Sequence, residues 1–238
     1  MLKVQDLVAG AVTERIDGLS FKVGTGEVLA VVGSSDSGKH LLGQVIAGVH
    51  QAIQGEVLIN HYRLNSISDK ARIQLGYLPN PAPTEDSLTG YELLDLIGSV
   101  YHLAPPARSE RIQNLIERLE IGPSVYSVLE AAPAQVRQKV ALGATVIHRP
   151  KLVILDEPTQ MLDFNGPRIV GELIKSLTAS SSSVLLITDN LEFAQGLADH
   201  FLVLSNGQKL IEGTMAQLLN QSHPHTRTLR GVLEAVGS

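Results

Sequence analysis

The sequence predicts an α/β fold: a mostly parallel sheet flanked by helices, with an antiparallel β subdomain and a helical subdomain insert. Three apolar runs, Glu27–Val32, Lys151–Leu155 and Ser183–Thr188, have the length and continuity of strands buried on both faces. Helical spacing alternates with these strands. Between the first run and its helix lies a glycine- and serine-rich loop, GSSDSGKH, residues 33–40.

In chain order, EVLAVV (27–32) is the first buried strand and His40–Val49 its helix. Gly55–Ile59 is short and alternating, as an antiparallel strand is. Gly76–Leu78 is a brief strand stopped by Pro79, and Pro81 and Pro83 break the loop Asn80–Asp86. From Ser87 to about Ile121 the spacing is helical. Leu93, Leu94, Ile97, Val100 and Tyr101 share one face, and Ile112, Leu115, Ile116 and Leu119 another. The insert continues through Gln135–Ile147. The strand KLVIL (151–155) ends at Asp156 and Glu157. Residues 167–178 form a helix, SVLLIT (183–188) the third buried strand, and a short helix then precedes the strand Phe201–Leu204. Ser205–Gly207 turns into Gln208–Ile211. Ser180–Ser183 reads as a polar turn, and no internal repeat is visible.

Composition bounds the function. The chain has 238 residues, 44% hydrophobic and 18% charged, enough for a large core. It has no cysteine, which excludes disulfides and thiolate zinc sites. A net charge of −5 and the lack of a basic run argue against a nucleic-acid partner. The start, MLKVQDLVAG, lacks the pattern of a secretory signal. No apolar stretch is long enough to span a bilayer, so any membrane role is expected through partners.

The loop Gly33, Ser34, Ser35, Asp36, Ser37, Gly38, Lys39 matches a phosphate-binding P-loop up to its last position, between a buried strand and a helix. Its glycines let successive N–H groups turn inward, and the helix N-terminus favours an anion, so the cradle is expected to run from Gly33 to Leu41. Lys39 would reach the β- and γ-phosphates. The last position, normally Ser or Thr on Mg²⁺, is His40. Mg²⁺ prefers compact oxygen ligands; either the imidazole substitutes poorly, or it points away and water takes its place. Both ways a direct metal contact is lost. LVILDEP (152–158) is a strand ending in two carboxylates: Asp156 to hold Mg²⁺ through water, and Glu157 to polarise the attacking water.

HRPKLVILDEPTQMLD, residues 148–163, resembles the Walker B and D-loop of an ABC ATPase, the nucleotide-binding subunit of ABC transporters. GLSFKV (18–23) followed by Gly26 and Glu27 is similar to that family's first strands, and LGYLP (75–79) to the approach to its Q-loop. The tail EGTMAQLLNQSHPHTRTL (212–229) resembles the C-terminus of peptide- and nickel-type importer ATPases. The resemblance implies one ABC ATP-binding domain over residues 1–238, a P-loop NTPase with the helical subdomain at about 83–148. It implies ATP and Mg²⁺ as cofactors, a second ABC subunit as homo- or heterodimer partner, and a transmembrane subunit docked near residues 79–102. The location implied is cytoplasmic, on the inner face of the cell membrane through those partners.

Against that pattern, the Q-loop glutamine falls on Asn80, which would hold a Mg²⁺-bound water with poorer reach. The signature LSGGQ falls on Ala132–Val136, or on Ala131–Gln135. On either count both glycines are missing, and Pro133 removes one N–H. The switch histidine falls on Asp189, which cannot donate to a γ-phosphate; Asp189 or Asn190 can instead cap the helix beginning near Leu191. Asp163 of the D-loop is retained, and no aromatic between residues 8 and 19 offers a stack for adenine. Losing one transition-state donor costs about 10²–10³ in rate, roughly 2.7–4 kcal/mol. With several altered, weak or absent hydrolysis is expected, in this chain's own site and in the one its signature completes. The alternatives are an active ATPase subunit driving transport and a non-transport ABC module in a soluble complex; a P-loop kinase fits poorly.

Overall fold

The computed structural model describes residues 1–11, 14–64, 69–83, 85–221 and 228–236. Strands β1 (Leu2–Gly10), β2 (Arg15–Val23), β4 (Gln54–Ile59) and β5 (Tyr62–Arg63) form an antiparallel sheet in the order β2-β1-β4-β5. The second sheet holds β3 (Val28–Gly33), β6 (Leu75–Leu78), β7 (Leu152–Asp156), β8 (Ser183–Ile187), β9 (His200–Ser205) and β10 (Gln208–Gly213). Its order is β10-β9-β3-β8-β7-β6; all neighbours are parallel except the antiparallel edge pair β9 and β10.

Alternation along the parallel strands divides the core by face. Leu152 and Ile154 of β7, with Leu185 and Ile187 of β8, point toward helix α1 (Lys39–Ile46), which lies between the two sheets on Leu41, Leu42, Val45 and Ile46. Val153, Leu155, Val184 and Leu186 point the other way. They meet the helical layer of α3 (Gly90–Val100), α4 (Pro105–Arg118), α5 (Ala134–Val146) and α6 (Gly166–Ala179). A third cluster packs Ala30, Val32, Phe201 and Val203 under α7 (Leu191–Gln195), α8 (Met215–Gln221) and α9 (Leu229–Val236). Among the described residues the remaining α-helix, α2, is the single turn Asp69–Arg72, and two short 3₁₀ helices span Gly122–Tyr126 and Leu129–Ala131.

Helix α3 starts at a reciprocal cap: Thr89 Oγ1 accepts from Glu92 N, and the Glu92 carboxylate accepts from Thr89 N. Leu93 and Leu94 face the core as the spacing predicts, but Val100, the last residue of the helix, is 61% exposed, while Gly98 of the same turn is buried against Arg108 and Ile147. The serine run is a turn only in its first half. Ser182 Oγ donates to Pro150 O at 2.7 Å and Ser183 Oγ to Gly24 O at 2.6 Å, so both serines are buried and tie β8 into its surroundings. Part of the importer-like tail, residues 222–227, and position 84 of the proline-broken loop lie outside the described residues.

Candidate functional site

The loop from Gly33 to Gly38 leaves the C-terminal end of β3 and turns into α1. Gly38 has φ +85°, and a Cβ there would lie 2.5 Å from the Arg15 carbonyl oxygen; at Gly33 it would lie 2.3 Å from that of Leu204. Both positions demand glycine by close approach. Ser37 N donates to Ser34 O and Gly207 N to Ser37 O, each at 3.0 Å. Ser34 Oγ donates to Asp36 Oδ1 at 2.5 Å, and that bond is the main reason the Asp36 carboxyl sits below its ordinary value. The crest Ser34–Asp36 is exposed, whereas the Ser37 hydroxyl is buried without a hydrogen-bond partner among the described residues.

Lys39 is fully buried. Its ammonium donates to Ser34 O at 3.0 Å and pairs with Asp189 Oδ1 at 3.0 Å. Asp189, just beyond β8, is 62% exposed at its side chain and therefore lies over the lysine from the solvent side. It does not cap α7; Asn190 does, its Oδ1 accepting from Phe193 N at 3.0 Å.

His40 does not point away from the strand-end carboxylates. Its Nδ1 lies 2.7 Å from Asp156 Oδ1 at the buried end of β7. That hydrogen bond, against partial burial, raises the imidazole pKa above its ordinary value. Leu41 N donates to Glu14 Oε1 at 3.2 Å. Glu157 has φ +46° and follows Asp156 with both carboxylate oxygens engaged: Oε2 accepts from Thr188 Oγ1 at 2.9 Å and Oε1 from Asp189 N at 2.6 Å. Burial raises its pKa, and the two hydrogen bonds oppose that rise. Asn80 is exposed beyond β6, and no hydrogen bond joins it to Lys39, His40, Asp156 or Glu157. The structure thus unites the loop, both strand-end carboxylates and Asp189, with Asn80 at the end of neighbouring β6 and not hydrogen-bonded to them. Spacing alone missed Thr188, whose hydroxyl holds Glu157; a lone Thr at a strand end gives no signal.

A second concavity of about 370 Å³ lies between β6, α3 and α5. Tyr77, Pro79, Leu93, Ile97, Tyr101 and His148 line it. Tyr101 stacks on His148 with ring centroids 3.7 Å apart, and His148 Nε2 donates to Leu75 O at 3.0 Å. His148 Nδ1 is buried without a hydrogen-bond partner among the described residues; so is the Tyr77 hydroxyl, but the register of β6 on β7 turns that side chain to the other face, against α1 near Gly43. Burial raises the Tyr77 pKa and lowers that of His148. At the start of α5 the Pro133 carbonyl accepts from Val136 N and Arg137 N, and no side chain caps the helix. Beyond Glu157, Met161 is 64% and Phe164 99% exposed.

A sequence model of the family described as "ABC transporter" matches residues 16–160. A daunorubicin resistance ATP-binding protein of Streptomyces coeruleorubidus is 30% identical over 203 residues, 85% of this chain and 64% of its own length. A Nod factor export ATP-binding protein of Rhizobium meliloti is 28% identical over 206 residues, 87% and 62% of the two chains. The chain therefore spans less than two thirds of either curated relative. Among solved structures, one described as the ATP-binding subunit of an ABC transporter superposes with a TM-score of 0.89 at 26% identity, covering 100% of both chains. A dimeric ATP-binding cassette in a post-hydrolysis state with ADP and phosphate gives 0.77 at 21% identity, over 90% of this chain and 98% of that one, a likeness of fold.

Proposed function

This chain belongs to the ABC transporter family, and we propose that within it the chain is an ATP-binding subunit that couples nucleotide binding to a transmembrane partner, with weak or absent hydrolysis of its own. Residues 1–238 are taken as one ABC domain whose helical subdomain spans about 83–148. The phosphates lie on the loop from Gly33 to Lys39. Glycines at two close-approach positions, the unpartnered Ser37 hydroxyl and the Lys39 ammonium fit a phosphate group there.

The observation that carries the impaired-hydrolysis reading is the 2.7 Å contact between His40 and Asp156. Mg²⁺ takes near-octahedral oxygen ligands at about 2.0–2.1 Å and supplies charge neutralisation at the phosphates. Here one expected ligand position is a ring nitrogen, and it occupies the carboxylate oxygen of the other. Asn80 adds no bond to either. This donor set does not fit Mg²⁺ in its usual place. Glu157, proposed as the water-polarising base, has both oxygens engaged by Thr188 and Asp189, which leaves it poorly placed to accept a proton from water. An ATPase assay of the wild type, with His40→Thr beside it, tests the reading. We expect wild-type turnover near background and a rise in the variant, where a hydroxyl is restored and Asp156 released. Wild-type turnover of several per second would overturn it.

The concavity at Leu93, Tyr101 and His148 is the proposed seat of the transmembrane subunit, because its largely apolar walls and the unpartnered His148 Nδ1 suit an amphipathic segment. The exposed Met161 and Phe164 beside Asp163 suit a second ABC subunit. The chain then works on the cytoplasmic face of a membrane, held there by its partners. Transport is taken as export: the likeness to relatives named for resistance and export runs over most of the chain, the importer-like tail over its last segment only. Co-purification with a polytopic membrane protein is expected; a purely soluble complex would favour a non-transport module.

A further inference from the structure

We propose that Asp189 is a built-in anion at the terminal-phosphate end of the P-loop, so that the site takes a nucleoside diphosphate in preference to a triphosphate. The proposal rests on the nucleotide-binding reading above and names the ligand that reading leaves open.

An ammonium has three N–H donors. In Lys39 one goes to Ser34 O and one to the Asp189 carboxylate, each at 3.0 Å; the third has no partner among the described residues. A P-loop lysine serves the β- and γ-phosphates. Asp189 marks which of the two places it fills. Its backbone N–H holds Glu157 Oε1 at 2.6 Å, so the residue stands between the lysine and the strand-end carboxylates. That is the side on which the terminal phosphate and an attacking water belong. A carboxylate on the ammonium there makes the charge-assisted contact a γ-phosphate oxygen would make.

Three neighbours reinforce the discrimination. Glu157 adds a second acidic group beside Asp189, Asp36 a third at the loop crest, and Asp156 is engaged by His40, an arrangement unsuited to the cation that would screen a γ-phosphate. A triphosphate must therefore displace Asp189 and face the carboxylates with little counter-charge. A diphosphate can leave Asp189 in place and use the remaining N–H of Lys39 with the Ser37 hydroxyl, which is buried and unpartnered at the base of the loop. Lys39 is buried beneath Asp189, so entry of any phosphate competes with this carboxylate, and the longer ligand competes more.

Isothermal titration of the full chain with ADP and with ATP, each in EDTA and in Mg²⁺, tests this. We expect ADP to bind about tenfold or more tighter than ATP in both buffers, the weight of one charged contact. Asp189→Asn keeps the size and removes the charge. It should tighten ATP by about tenfold and ADP by less than about threefold; Asp189→Ser should do the same, and thermal melts confirm that both variants are folded. ATP binding the wild type as tightly as ADP, or an ADP-to-ATP ratio unmoved by both substitutions, overturns the proposal while nucleotide binding stands. If neither nucleotide binds wild type or variants, the nucleotide-binding reading falls, and this one with it.

Discussion

Around the P-loop, charged groups find partners within the chain: Lys39 with Asp189, His40 with Asp156, Glu157 with Thr188 and the Asp189 amide. The concavity between β6, α3 and α5 holds no such ion pair among its described residues. There His148 Nδ1 is buried with no partner among the described residues, and most of the wall around it is apolar. A buried, unsatisfied polar atom costs about 1–3 kcal/mol. In the first region the Ser37 hydroxyl still carries that cost, but the charged groups are paired, so a ligand entering it must break existing pairs. The second keeps the cost until something from outside supplies a partner. The contrast separates a site closed on itself from a surface left incomplete.

The largest test asks whether the two regions are independent. Leu94 is fully buried in α3, behind the concavity, and packs in a different core cluster from the one that seats α1. Leu94→Ala should lower stability by about 2–5 kcal/mol in urea unfolding, while nucleotide affinity of the folded protein changes by less than about threefold. A parallel collapse of affinity would break the separation.

A smaller effect separates the two faces of β6. Tyr77→Phe removes an orphan hydroxyl and should raise the stability of the isolated chain by about 1 kcal/mol. Because this side chain lies on the α1 face of β6, away from the concavity, the same change should leave capture of the membrane partner unaltered. A loss of stability instead would mean that the hydroxyl is already satisfied in solution.

The smallest effect is one of pH. Burial first, and then the nearby Arg111 charge, hold the His148 imidazole below its ordinary pKa of 6.5, against the hydrogen bond to Leu75. The folded chain therefore binds this proton less readily than the unfolded chain. Its contribution to stability is complete above about pH 6.5 and is lost as the pH falls through the lower folded-state value. Melting temperatures from about pH 7.5 to about pH 5 should fall more steeply for the wild type than for His148→Gln. Equal slopes would show that His148 titrates as if exposed.

Local sequence determined the frame. Continuous apolar runs mark β3, β7 and β8, because a strand covered on both faces admits nothing else, and helical spacing marks α3, α4 and α5. The glycines of the P-loop and its strand-to-helix setting are equally legible, since the conformation at Gly38 is a property of a few consecutive residues. Spacing also placed His40, Asp156, Glu157 and Asp189 at the positions where the ABC pattern departs or persists. Only the tertiary structure decided what they do to one another. His40 meets a carboxylate 116 positions away, and Lys39 meets Asp189, because the sheet sets β3 beside β8 and β8 beside β7 and brings three strand ends to one rim. Which way an imidazole turns, and which carboxylate reaches the lysine first, depends on those long-range neighbours, and no local pattern of residues encodes it.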